Sequence, residues 1–352
     1  MHLSRRCFAV TTLGLLAGAA GPGLALARPR GEPAAPDREP PRFFQWRDIT
    51  PAQAAPGVRL YAGLPPQGLM GTGGNSLLVV GSDAALLVDT KMAALGRTIR
   101  QEAEAVAGRP LTHVVNTHHH ADHTGGNQAF ATDVSLLAHK NAQQRLLAQF
   151  DRYKNGIEGT IAQIARQGGG PAIDQVLEDA RRVQDGFEHL KPESFGATKL
   201  VERDINLNIG GVEVWLRHFG PGHTDNDLVI HLPGLNVVHT GDLIFNNLHP
   251  FMDGNAGCTS VGWQQSLDAI IRLCDGATTV IPGHGELTTI EGVRAQYRYF
   301  DKLREIVRHA KDVESMTRDE VVKLRTGAFE GYGFDHMLSN SLGIVFDELA
   351  GG

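Results

Sequence analysis

The chain has 352 residues, 41% of them hydrophobic and 20% charged, enough to bury a sizeable core and too balanced for a disordered or collagen-like polymer. Lys+Arg 33 against Asp+Glu 39 leaves a formal net charge of -6 with no long basic cluster, which argues against a nucleic-acid protein and for a small-molecule partner. Three cysteines, one of them in the first ten residues, exclude a disulfide framework, so the unusual count is the 16 histidines.

Residues 1–27 run from a short basic start, Arg5 and Arg6, through a mildly apolar Gly/Ala stretch to small residues at Ala25 and Ala27, the pattern of a secretory signal. The paired arginines in SRRCF resemble the twin-arginine export signal, so cleavage near Ala27 and a periplasmic destination are expected. Gly14, Gly18, Gly21, Pro22 and Gly23 interrupt the run, whereas a spanning helix needs roughly 20 strongly apolar residues; no stable membrane anchor is expected. Residues 28–57 read as a Pro-rich spacer and lead-in, with five prolines and no apolar periodicity within 29–41.

From Gly73, NSLLVV, GSD and AALLVDT read as strand, turn and strand. Residues 92–107 carry apolar residues at helical spacing and stop at Gly108, Arg109 and Pro110. LTHVVNT (111–117) and VSLLAH (134–139) are strands, and about 141–190 two polar helical arms flank Gly168, Gly169, Gly170 and Pro171, an insertion expected outside the core. LVERDINLNI, GVEVWLRHF, DLVIHL and NVVHT are further strands joined by Gly, Pro or Asn turns. A helix at 262–275, the strand and loop TTVIPGHG, and helices at 289–313, 317–327 and 336–349 follow. Two blocks of strands, each followed by helices, predict an α+β fold: a four-layer αβ/βα sandwich of two mixed sheets with external helices, spanning 58–313, then a C-terminal helical tail at 314–352.

Four histidines crowd into HHHADH as His118, His119, His120 and His123, with Asp122 between them, directly after the strand 111–117. Alternation along an extended segment sends His118 and His120 one way and His119 the other, and the turn at Ala121 brings Asp122 and His123 to an adjacent position. Imidazole and carboxylate suit Zn(II), which takes about four ligands, so this loop leaves two ions short. GPGHTDND presents His223, TGD presents Asp242 and PGHG presents His284, each in a Gly-bounded loop at the end of an expected strand. One distribution completes two zinc sites: His118, His120 and His223 on the first ion, Asp122, His123 and His284 on the second, with Asp242 bridging.

In this order HHHADH, GPGHTDND, TGD and PGHG resemble the motif series of the metallo-β-lactamase superfamily, over about residues 58–300. The resemblance implies an αββα fold and a zinc hydrolase in which water between the ions, its pKa lowered to about 7, attacks a carbonyl. Asp122 is then the catalytic residue that orients the nucleophile and carries a proton to the leaving group. No G-x-S-x-G elbow supports a serine mechanism. Asp at the position of Asp242 is typical of superfamily thioesterases, lactonases and phosphodiesterases, whereas β-lactamases commonly carry Cys or Ser there; nor is there a lysine between Lys199 and Lys302 of the kind one lactamase subclass uses to grip its substrate. A small ester, thioester, lactone or lactam is the expected substrate. A periplasmic β-lactamase proper, a member tied to sulfur oxidation or quinoprotein systems, a mononuclear-iron persulfide dioxygenase and an inactive metal-binding member are the alternatives. The segment FNNLHPFMDGNAGC (245–258) is expected to form a lip over the metals, with Asn246 and His249 at a substrate rim. Oligomeric state and a Cys258–Cys274 pairing stay open.

Overall fold

In a computed structural model, which describes residues 43–66, 72–130, 133–166 and 169–351, strand alternation decides the architecture. Along β3 (Ser76–Val80) and β4 (Ala85–Val88), Leu77, Val79, Leu86 and Val88 enter one apolar cluster while Leu78, Val80, Ala85 and Leu87 enter another. All eight are buried, so this sheet has to be covered on both faces.

The first sheet has seven strands in chain order: β1 (Gln45–Asp48), β2 (Arg59–Leu64), β3, β4, β5 (His113–Val115), β6 (Ser135–His139) and β7 (Lys199–Val201). It is antiparallel up to β4 and parallel from β4 to β7. The second sheet has five strands in the order β12-β11-β10-β9-β8, comprising β8 (Ile205–Ile209), β9 (Val212–Arg217), β10 (Val229–Leu232), β11 (Val237–His239) and β12 (Thr279–Ile281), with only β11 and β12 parallel. Leu60, Leu77, Val115 and Leu137 of the first sheet meet Val214, Leu216, Ile230 and Ile281 of the second, forming the central core. Outside the first sheet lie α1 (Gly96–Ala107), α3 (Gln143–Ala165) and α4 (Pro171–Asp185); α2 (Ala121–Thr124) is a single turn beside the sheet ends. Outside the second lie α5 (Ser260–Leu273), α6 (Ile290–Arg308), the one-turn α7 (Arg318–Val321) and α8 (Asp335–Ala350). This is the expected αβ/βα sandwich.

Four features depart from the sequence reading. LVERDINLNI is not one strand, because β7 pairs with β6 in the first sheet while β8 pairs with β9 in the second. The lead-in contributes β1, fastened to α1 by Glu102, whose carboxylate accepts the Phe44 N–H at 3.1 Å and the Trp46 indole N–H at 3.0 Å. The 141–190 insertion is part of the outer layer, with Leu146, Gln149, Val176 and Ala180 buried. The C-terminal segment is no tail: Leu338, Leu342 and Val345 of α8 share a core with Trp263 and Phe300. Cys258 and Cys274 are free thiols. No described helix is long and apolar enough to cross a membrane, and the expected signal, 1–27, with most of the Pro-rich spacer, lies outside the described residues.

Candidate metal centre

The parallel strands β5, β11 and β12 all end at the same edge of the sandwich, and the loops that follow them carry His118 to His123, Asp242 and His284. His223 reaches the same place from the turn between β9 and β10. Two glycines let these loops close in: a Cβ on Gly283 would stand 2.0 Å from the Asp242 Oδ1, and one on Gly74 would stand 2.1 Å from the His123 ring. Behind Gly74, the buried Lys91 ammonium donates to the carbonyls of Gly63, at 2.9 Å, and of Gly74.

Ligand atoms of His118, His120, His223 and Asp242 form one group, and those of Asp122, His123, Asp242 and His284 a second, each within 4.8 Å of one another. All seven residues proposed from the sequence are therefore brought together, and Asp242 is common to both groups.

The hydrogen bonds behind the rings fix their tautomers. Thr117 Oγ1 donates to Asp89 Oδ2 at 2.8 Å, so it accepts the proton of His118 Nδ1 at 3.0 Å. His123 Nδ1 donates to Asp89 Oδ2 at 2.7 Å, His223 Nδ1 to the carbonyl of Phe251 at 2.9 Å, and His120 Nε2 to Asp253 Oδ2 at 2.9 Å. His118, His120 and His223 thus turn a bare nitrogen inward, while the inward Nε2 of His123 lies 3.0 Å from Asp242 Oδ1 and holds a proton that a metal ion would displace. The His120 Nδ1 and His223 Nε2 atoms face each other at 2.9 Å, an arrangement satisfied by a metal ion between them or by a proton shared by the two rings. His118 Nε2 is buried without a hydrogen-bond partner. The charges agree: burial depresses the His118 imidazole far below its usual pKa and His223 to about 3, keeping both neutral. Burial opposes ionisation of Asp122 and Asp242, but the neighbouring His123 and His284 outweigh it and hold both carboxyls low. In return the carboxylates, Asp242 foremost, outweigh burial and hold His123 well above its usual pKa and His284 up to about 9, so beside the neutral His118 and His223 these two rings carry positive charge that a divalent metal bound to the same donors would supply instead.

His119 turns away from both groups, its Nδ1 on the Asn226 amide at 3.0 Å and its Nε2 3.6 Å from Asp253. His119, His120 and Asp253 make a third compact set. An ion there would require His120 to lose both ring protons, whereas one Nε2–H···Oδ2 bond satisfies that side, so the set is a support for the first group.

A cavity of about 570 Å3 opens over the centre, reached by His120, Asp122, Asp242 and His284. The two residues expected at its rim sit elsewhere. His249 is 3% exposed, with Nδ1 on the Tyr299 hydroxyl at 2.9 Å and its ring against Phe329 and Tyr332, because the chain turns inward at Asn247 (φ 58) to pair with Gly333. Asn246 props the loop from behind, donating its amide to the Glu286 carbonyl at 2.9 Å. The walls come instead from Leu64, Pro65, Phe251, Phe334 and Met337, with Arg47 and Glu286 at the mouth. Sequence reasoning missed these, and it missed Asp89, although Asp89 follows a strand within VDT much as Asp242 follows one within TGD.

Residues 69–284 match the family model of the metallo-beta-lactamase superfamily. The chain belongs to that superfamily. Superfamily members are metallo-hydrolases, and the donor groups above are those of a metal-binding member. The chain is similar to a probable metallo-hydrolase, YqjP, of Bacillus subtilis, at 28% identity over 69% of this chain and 77% of the relative. It is also similar to a linear primary-alkylsulfatase of Pseudomonas, at 23% identity over 70% of this chain, but spans only 46% of that protein's length. Among solved structures, a metallo-beta-lactamase from Pontibacter korlensis aligns at TM-score 0.49 and 16% identity, covering 73% of this chain and 99% of that one.

Proposed function

We propose that the chain is a dinuclear zinc hydrolase of a small ester, thioester, lactone or lactam. The observation that carries the proposal is the Asp242 carboxylate, which stands in both donor groups at once. Two zinc ions held there supply Lewis acidity toward the scissile carbonyl and an activated water. The protein's own part is to hold the donors in one protonation state, through Asp89, Thr117, Asp253 and the Phe251 carbonyl. Asp122 is the catalytic residue: it lines the cavity, its side chain is 33% exposed, and its carboxylate lies 3.1 Å from His284 Nε2. From there its ionised carboxylate would orient the attacking water, take the proton that the water gives up and pass that proton to the leaving group.

The substrate is a small molecule that enters the cavity, and the paired arginines near the N-terminus support export to the periplasm. N-terminal sequencing of the periplasmic protein should then begin at Arg28. A second reading is favoured by the likeness to an alkylsulfatase together with the apolar cavity walls: hydrolysis of an alkyl sulfate. One panel separates these. The zinc-loaded enzyme is offered an acyl-homoserine lactone, a glutathione thioester, a chromogenic cephalosporin, dodecyl sulfate and a phosphodiester, beside a His120→Ala variant. The proposal expects turnover of the lactone or thioester and loss of both metal and turnover in the variant. Turnover of the cephalosporin alone would make it a β-lactamase, and one iron with oxygen consumption on a persulfide would overturn the hydrolase reading.

A further inference from the structure

We infer that the metal centre opens onto a subsite for a neutral aliphatic chain, so that the preferred substrates are uncharged esters, thioesters or lactones of medium-length acids; this rests on the hydrolase reading above. The cavity beside Asp122 and His284 is walled by Leu64 and Pro65 at the end of β2, Phe245 and Phe251 after β11, and Phe334 and Met337 at the start of α8. These side chains continue directly from the donors. The Phe251 ring lies 5.7 Å from that of His120, Phe334 lies 5.8 Å from His284, and Phe245 stacks on His284 at 5.1 Å. A group attached to a carbonyl at the centre therefore leaves along apolar surface, the kind of wall that binds by area removed from water.

Charge at the mouth points the same way. Arg47, the one lysine or arginine among the described lining residues, is already engaged by both oxygens of Glu286, at 2.5 and 3.3 Å. A substrate carboxylate would have to displace Glu286 from a paired guanidinium. An uncharged chain displaces nothing.

Phe334 supplies an independent sign. It sits in the left-handed region (φ 63, ψ 39) just before α8, a conformation that disfavours a bulky residue and that glycine adopts freely. Held backbone strain of this kind clusters at ligand sites, and here it places an aromatic ring across from His284.

The test uses zinc-loaded enzyme with 4-nitrophenyl acetate, butyrate, hexanoate, octanoate and hemisuccinate, and calorimetric binding of the matching uncharged alkanamides. In the wild type kcat/KM and amide affinity should each rise about twofold to fourfold per added methylene. Phe334→Gly, which relieves the backbone but gives up the ring's packing against the core, should keep the wild-type fold by circular dichroism and bind acetamide as wild type does while its octanoate-to-acetate ratio falls about tenfold. Met337→Ala should lower that ratio in the same direction. The hemisuccinate should trail the butyrate by about tenfold. Flat or falling dependence on chain length in both turnover and amide binding, or preference for the hemisuccinate, would overturn the inference while leaving the hydrolase reading intact. Amide affinity that climbs with chain length without hydrolysis of any ester would support the subsite and overturn the hydrolase reading.

Discussion

Each histidine whose outer nitrogen is bonded at the centre depends on a group that stands behind it. Asp89 shows what this dependence is worth: its carboxylate, fully buried, takes the Thr117 N–H at 2.8 Å, the Thr117 hydroxyl at 2.8 Å and the His123 Nδ1–H at 2.7 Å. Asp89→Ala leaves those donors without a partner in a dry pocket. We expect a loss of about 2 to 4 kcal/mol of stability and a fall of about 10- to 100-fold in affinity at the second group, since outer partners of metal histidines have effects of that size. Chelator competition with spectroscopically active cobalt reads the affinity, and an unchanged second-group affinity would contradict the assignment. Loss at the first group alone would also contradict it. The seven donors were legible in the sequence because they fall at fixed spacings after strands. Their supports were not, because Asp253 is 133 residues from His120 and the partner of His223 is a main-chain carbonyl that any residue could supply. His249 shows the converse: a histidine beside the site in sequence is spent on core packing against Tyr299.

Outer elements reach the centre as well. From α3, in the segment that reads as a solvated insertion, the Gln149 amide donates to the His119 carbonyl at 2.8 Å and to Thr124 Oγ1 at 2.7 Å, bracing the turn between the two donor groups. Gln149→Ala removes both bonds, and we expect it to lower stability by about 1 to 3 kcal/mol and to weaken metal retention. Melting with and without zinc checks this: an identical zinc-induced rise in Tm for variant and wild type would show that α3 does not support the loop. From the other side α8 clamps the segment that carries Phe251 and Asp253, with Asn340 bonded to both main-chain groups of Met252, at 2.8 and 3.2 Å, and Ser341 Oγ donating to the Pro250 carbonyl at 2.8 Å. Periodicity located α8 to within a residue or so at each end. It was silent on what the helix packs against, because its apolar face reads the same for a peripheral tail as for a core element. The split of LVERDINLNI was missed although the polar triplet Glu202, Arg203 and Asp204 interrupts the alternation where the chain passes from β7 to β8 and changes sheets.

At the scale of the molecule, burial of neutral histidines away from the metal centre links stability to pH. His239 uses both ring nitrogens, on the Asn75 carbonyl at 3.2 Å and the Gly241 N–H at 3.0 Å, and burial lowers it to about 4. Burial, then the neighbouring His218, lowers His139 to about 4, and burial lowers His231. An unfolded histidine titrates at about 6.5. Because the folded values are depressed, this contribution is complete above pH 6.5 and is lost as pH falls toward 4. Asp227, pushed up to about 7 by burial, works in the opposite sense, gaining as pH falls from 7 toward 4. Burial lowers His113 and His249 as well, so five such histidines stand against Asp227 and predict a net fall in Tm from pH 6.5 to pH 4, measured on metal-free protein so that metal release plays no part. A flat or rising Tm over that interval would show that these rings are not held neutral.

The central claim is that one carboxylate joins two metal sites, and the metal content of the purified chain tests it most directly. Elemental mass spectrometry of wild type and of Asp242→Ala should find about two zinc ions per folded chain in the first and fewer than one in the second. A wild type that holds one ion at saturation, or an Asp242→Ala variant that keeps two, would contradict it.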